Sequence, residues 1–186
     1  TETLNIGSET NGHSYPVNDH VNKVYSDYDA EYDVTSRINS ASPVVHVTNS
    51  ELSGYTFDGR IKGVSLVVAY NDGDSDIVKY WVNDGSDWSN PGSGSTAFDT
   101  TGLATGWTSA QSSVRYFSTS DATYTFNGVS KAGFGSSPYY QGFNTWDVTN
   151  NITAGSLSTL AYSKSSSFMV DLATLKARYV TAPTAS

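Results

Sequence analysis

A chain of 186 residues with 13% aromatic side chains can bury a sizeable core, and without cysteine that core is held by packing rather than by disulfides. Only 10 Lys and Arg stand against 18 Asp and Glu, a net charge of -8 that repels phosphate backbones and anionic membranes and so argues against nucleic acid as a partner. The missing cysteines also remove thiolate zinc sites and thiol redox chemistry, and no apolar run approaches the ~20 residues that cross a bilayer, so direct membrane insertion is not expected.

The first stretch, Thr1 to Ile38, opens without a charged n-region or an h-region, as expected of a mature or trimmed chain. A short Leu4-Asn-Ile6 run leads into a polar loop with His13, Pro16, Asp19 and His20. The spacing of the two histidines fits no compact ligand pair, so they read as solvated loop residues. Asp27, Asp29, Glu31 and Asp33 then alternate with Tyr28, Ala30 and Tyr32. Period two puts the carboxylates on one strand face, where charge protects an exposed sheet edge; a general acid and base pair is the alternative. Pro43-Val-Val-His-Val47 reads as another strand, with His46 on its half-exposed face. Three histidines in unrelated elements, no serine in a Gly-flanked elbow and no cysteine leave a hydrolase triad without support, and no enzyme activity is expected.

Arg60 to Val82 reads as a β-hairpin. Its first arm, Gly63 to Tyr70, places Val64, Leu66, Val68 and Tyr70 on one face and only Ser65, Val67 and Ala69 on the other, the pattern of a strand covered on both sides. The return arm is Ile77 to Val82. At the tip, Asp72, Asp74 and Asp76 form an Asp-x-Asp-x-Asp pattern that can gather carboxylates around one hard cation, with calcium the natural candidate. The twelfth position counted from Asp72 is Asn83 rather than Glu, and the following residues are strand-like, so a plain acidic tip is the simpler reading.

Residues 83–95 are Gly-, Ser- and Asn-rich and read as an irregular connector folded back by Trp88. A strand and turn over 96–108, then strands at 113–117 and 123–126, are predicted next. Trp88, Trp107, Tyr139 and Tyr140 are placed in loops, where aromatic rings can stack on sugars or cap the core. Asn151-Ile-Thr153 is an N-glycosylation acceptor pattern in a Thr- and Asn-rich turn.

The two ends of the chain resemble each other over residues 1–82 and 110–180. Thr3-Leu-Asn-Ile-Gly7 matches Thr125-Phe-Asn-Gly-Val129, and Tyr32-Asp-Val-Thr35 matches Trp146-Asp-Val-Thr149. Val44 to Val47 then corresponds to Leu157 to Tyr162, and Gly63 to Tyr70 to Leu172 to Tyr179. The order is kept across all four elements, which favours duplication. The second copy begins with a strand at 113–118 for which the first has no counterpart ahead of Thr3, so a sheet with a missing strand is expected. The chain is trimmed, or the tail Val180 to Ser186 fills the gap, or a neighbouring subunit donates the strand.

The aromatic-Asp-Val-Thr signature, the strand Gly63 to Tyr70, the acidic turn and Lys79-Tyr-Trp-Val-Asn-Asp-Gly85 together resemble the uncharacterised β-rich domain of exported surface proteins of methanogenic archaea. Phe126-Asn-Gly128 and Trp146 to Thr149 resemble its second half, so the likeness runs over nearly the whole chain. The resemblance implies an exported, extracellular all-β cell-surface protein without known catalysis. The expected fold is a single β-sandwich-like domain, jelly-roll or Ig-like, made of two related halves. The expected role is a self-associating structural subunit of a filament, sheath or surface layer, with a carbohydrate-binding or adhesion module as the rival.

Overall fold

Alternating apolar side chains and a scarcity of long helix-forming runs lead to a structure built almost wholly of strands. The structure is a computed structural model. It describes residues 21–24, 27–48, 53, 60–89, 92–117, 122–133, 141–164 and 168–180. The chain divides into two units, Thr1–Ser65 and Leu66–Ser186.

In the first unit, β1 (Val21–Val24) pairs antiparallel with β2 (Asp27–Ala30), Val21 opposite Ala30. A single 3-10 turn follows at Thr35–Arg37. The strand expected to run on through Asp33 therefore stops at Ala30. Pro43 to Val47 joins no sheet, and His46 is exposed, as are Val44, Val45 and Val47. The expected elements around Leu4, His13 and His20 lie outside the described residues.

The second unit contains β3 (Ile77–Ser89), β4 (Gly92–Asp99), β5 (Ser109–Phe117), β6 (Thr123–Phe126), β7 (Val129–Lys131), β8 (Gln141–Asp147), β9 (Leu157–Lys164) and β10 (Phe168–Tyr179). They form two four-stranded antiparallel sheets, ordered β3-β10-β5-β8 and β4-β9-β6-β7. The sheets pack face to face as a β-sandwich. One contributes Val114, Trp146, Phe168 and Leu175 to the shared core, and the other contributes Phe98, Tyr124, Phe126 and Leu160. The fold is thus all-β, as expected, with both layers of the sandwich drawn from the second unit.

Local chemistry explains the strand ends. Asn127 and Gly128 both take positive φ, 47° and 78°, the left-handed pair that a two-residue hairpin needs, and Phe126 accordingly pairs with Val129 across β6 and β7. Gly142 stands opposite Tyr116, whose ring lies where a Cβ would project, so the aromatic side chain covers the bare glycine backbone.

Two expectations need correction. Residues 83–95 are not a connector: β3 continues to Ser89, with Asn83 opposite Ala173 and Trp88 opposite Met169, and β4 begins at Gly92. Both are edge strands. Backbone ladders hold them against the apolar β10 and β9, so small polar residues suffice where a central strand would need β-branched ones. Asn83 also links the edges, its amide donating to Thr96 Oγ1 at 2.6 Å and to the Ala97 carbonyl at 2.9 Å.

The hairpin over Arg60 to Val82 also does not form. Only its return arm is a strand, and that arm pairs with β10, while Gly63 to Tyr70 joins no sheet. The tip gives a physical reason. Asn71 accepts the Gly73 N–H at 2.8 Å, Asp72 that of Asp74 at 3.2 Å, and Asp74 that of Asp76 at 2.8 Å. These successive side-chain turns satisfy the tip locally, without a ladder between the arms.

Candidate functional site

The two Asp-Val-Thr signatures, the first at Asp33 to Thr35 and the second at Asp147 to Thr149, can be compared side by side. Asp33 accepts the Thr35 backbone N–H at 2.9 Å, and Asp147 accepts that of Thr149 at 2.8 Å. Each turn then closes through the valine carbonyl, Val34 to the Arg37 N–H and Val148 to the Asn151 N–H, both at 2.8 Å. The threonine hydrogen bonds hold both aspartates below the usual carboxylate range. The same three residues, Asp-Val-Thr, thus build the same turn at both places.

The surroundings of the two turns differ. In the second copy the Val148 N–H donates to the Ala110 carbonyl at 3.0 Å, and Thr149 Oγ1 accepts the Ala110 N–H at 2.8 Å. Both bonds are made to β5, and Val148 is fully buried. At the other turn Val34 is only half-buried.

The long strand shows the same contrast. β10 lies between β3 and β5, and Ala173, Leu175 and Ala177 are buried. Its counterpart is more apolar but uncovered: Val64 is 57% exposed, Val67 49% and Tyr70 79%, and Leu66 and Val68 are exposed too. Both alternating faces of this run face solvent, and it joins no ladder. An uncharged, β-branched segment with this pattern is a template for pairing with another strand.

The residues named for other chemistry are mostly committed to structure. Asp72 and Asp74 serve the tip turns, and Asp76 is ion-paired with Arg178. Among the described residues no three His, Asp or Glu side chains are gathered as metal ligands. Trp107 is not a free platform: it packs against the core and its indole N–H donates to the Thr149 carbonyl at 3.0 Å. The Trp88 backbone stands on β3, and its side chain lies outside the description, as do Tyr139 and Tyr140 altogether. Asn151 sits half-buried in a turn, its side-chain oxygen accepting Lys131 Nζ at 2.5 Å.

Two features escaped the sequence reading. Arg115 on β5 approaches Asp171 on β10 at 3.5 Å, beside a register shift between Val170 and Leu172, and its guanidinium lies 4.9 Å from the centre of the Phe117 ring. Burial pushes the Asp171 carboxyl up to about 6, with Arg115 opposing the shift. The second is an open groove of about 380 Å³ on the β4-β9-β6 sheet, lined by the hydroxyls of Ser93, Ser95, Thr123, Thr125 and Ser163. Alternating Ser-x-Ser and Thr-x-Thr was the signal for this groove, whereas the Arg115 pair depends on strand register that sequence does not reveal.

These features define an all-β sandwich protein with an uncovered apolar segment and no assembled catalytic or metal centre among the described residues. Residues 2–178 match the family described as "Protein of unknown function (DUF3344)", and the chain belongs to that family. No curated protein matches it.

Proposed function

We propose that this protein is an exported structural subunit that self-associates through β-strand pairing into a cell-surface filament, sheath or surface layer. The observation that carries the proposal is the state of Gly63 to Tyr70. β10 has a neighbour on each edge, whereas Gly63 to Tyr70 joins no sheet among the described residues and exposes apolar side chains on both faces. Monomeric soluble proteins rarely leave such a strand bare unless a partner covers it. The acidic, Ser- and Thr-rich composition supports an extracellular setting, as does the resemblance to methanogen surface proteins.

A neighbouring subunit is the proposed source of the covering strand. Electron microscopy and sedimentation of the native protein test this: ordered assemblies of 19.9 kDa subunits are expected, and a monomer at all concentrations contradicts the proposal.

The adhesion reading keeps one specific support, the hydroxyl-lined groove at Ser93, Ser95, Thr123, Thr125 and Ser163. Sugar binding lost on replacing Thr125 with Val, with assembly absent, would favour it over the structural one.

A further inference from the structure

Each sheet ends in two edge strands, β3 and β8 in one and β4 and β7 in the other. β3 and β4 are stitched to each other: Asn83 donates to Thr96 Oγ1 and to the Ala97 carbonyl, and the Trp81 indole N–H donates to the Asp99 carbonyl at 2.7 Å. β3 also carries Lys79, Asp84 and Asp87, charges of the kind that keep other strands off an edge. β7 is only 3 residues long and ends on Lys131. β8 lacks these guards: it is uncharged from Gln141 to Trp146, and neither Pro nor a register shift interrupts it.

The ladder of β8 fixes which of its backbone groups are free. The Val148 N–H donates to the Ala110 carbonyl at 3.0 Å, just beyond the pair of Gln111 and Asp147. Alternation along an antiparallel pair then turns the N–H and C=O groups of Gln141, Phe143 and Thr145 away from β5, towards the open edge. The Asp147 carbonyl, next in that series, accepts Lys131 Nζ at 3.1 Å, while the backbone groups of the other three meet no partner strand among the described residues. Phe143 alternates with the buried Asn144 and Trp146, and its wholly apolar ring is 56% exposed.

We propose that the strand covering Gly63 to Tyr70 is β8 of a neighbouring copy, to whose open edge the segment adds as one more strand of the sheet. This rests on the reading of the chain as self-associating and names the surface that receives the segment. Neither Gly63 to Tyr70 nor Gln141 to Trp146 carries a charge, and the donor is long enough to span all the free positions of the edge. Either of its alternating faces brings apolar side chains to the Phe143 ring, Leu66 and Val68 on one and Val67 and Ala69 on the other. The segment leads into β3, and β8 is the opposite edge of the same sheet. Donor and acceptor are therefore different surfaces, and each copy gives one strand and takes one. Such a heterologous contact passes from copy to copy, as a filament or layer requires.

Two blocked variants of the full chain test this by sedimentation. Val67→Pro removes an N–H from the donor at an exposed position in no sheet. Phe143→Glu sets a charge on the acceptor edge at an exposed position and leaves the bonds to β5 in place. Gln141→Pro, at the first residue of β8, blocks the same edge through the backbone alone. Unchanged near-UV circular dichroism verifies that each variant folds. Each alone should assemble at least about tenfold more weakly than the wild type. Mixed, Val67→Pro and Phe143→Glu should form a one-to-one dimer and nothing larger, because the intact donor of one meets the intact edge of the other. If both acceptor variants assemble like the wild type, or the mixture stays monomeric, β8 is not the acceptor while self-association stands. Normal assembly of Val67→Pro removes the segment from the contact. If the wild-type chain never assembles, both readings fail.

Discussion

Thr149 Oγ1 accepts the backbone N–H of Ala110 at 2.8 Å, tying the Asp147 to Asn151 turn to the start of β5. Thr35 donates its backbone N–H to Asp33 in a turn of the same kind and is exposed. One turn is thus anchored to a core strand by its threonine and the other threonine faces solvent, and this difference underlies the first of the expected outcomes below.

Thr149→Val should destabilise the protein by about 1–3 kcal/mol, because it leaves the Ala110 N–H without its acceptor. Thr35→Val should change stability by less than about 0.5 kcal/mol, as for an ordinary surface site. Urea denaturation of the two variants side by side measures the contrast.

The core belongs to the sandwich, and truncations should report that. Leu160→Ala, at a fully buried position, is expected to cost about 2–5 kcal/mol, whereas Val67→Ala in the uncovered segment should leave the unfolding midpoint of the dilute protein nearly unchanged. Thermal melts of both variants check this.

Stability should pass through a maximum in mildly acidic solution. The Asp171 carboxyl is raised to about 6 by burial, so its ionised form weighs against the fold at neutral pH. That cost is relieved as pH falls through about 6 towards the unfolded-state value. Asp33, Asp99 and Asp147 are held low by their threonine partners, and the stability they confer is lost below about pH 4, as they protonate. Asp171→Asn should flatten the limb between pH 7 and 5 and leave the acid limb intact, as read by unfolding midpoints across pH.

Calcium should have no effect on stability. Asp72, Asp74 and Asp76 are used in turns and in an ion pair with Arg178, and their carboxylates do not converge. Equal thermal midpoints with added calcium and with EDTA are expected; a clear rise with calcium would overturn this assignment.

Much of the second unit was legible in the sequence, because β5, β6, β9 and β10 alternate or run apolar and face a shared core. The extensions of β3 and β4 over 83–95 were hidden, since edge strands tolerate the Gly, Ser and Asn that otherwise mark loops. Gly63 to Tyr70 was read correctly as apolar on both faces, but sequence did not show that the neighbours such a strand needs are absent from the described chain. The likeness of Asp33 to Arg37 and Asp147 to Asn151 as turns follows from their shared Asp-Val-Thr, whose aspartate accepts a local backbone N–H in both.

The most direct measurement is hydrogen exchange at the amides of Gly63 to Tyr70 as protein concentration is raised. Strand pairing between copies predicts fast exchange in the dilute monomer and strong protection in the assembled protein, while the sandwich amides of β5 and β10 stay protected throughout. Protection of Gly63 to Tyr70 already in the dilute monomer, or its absence in the assembly, would contradict the account.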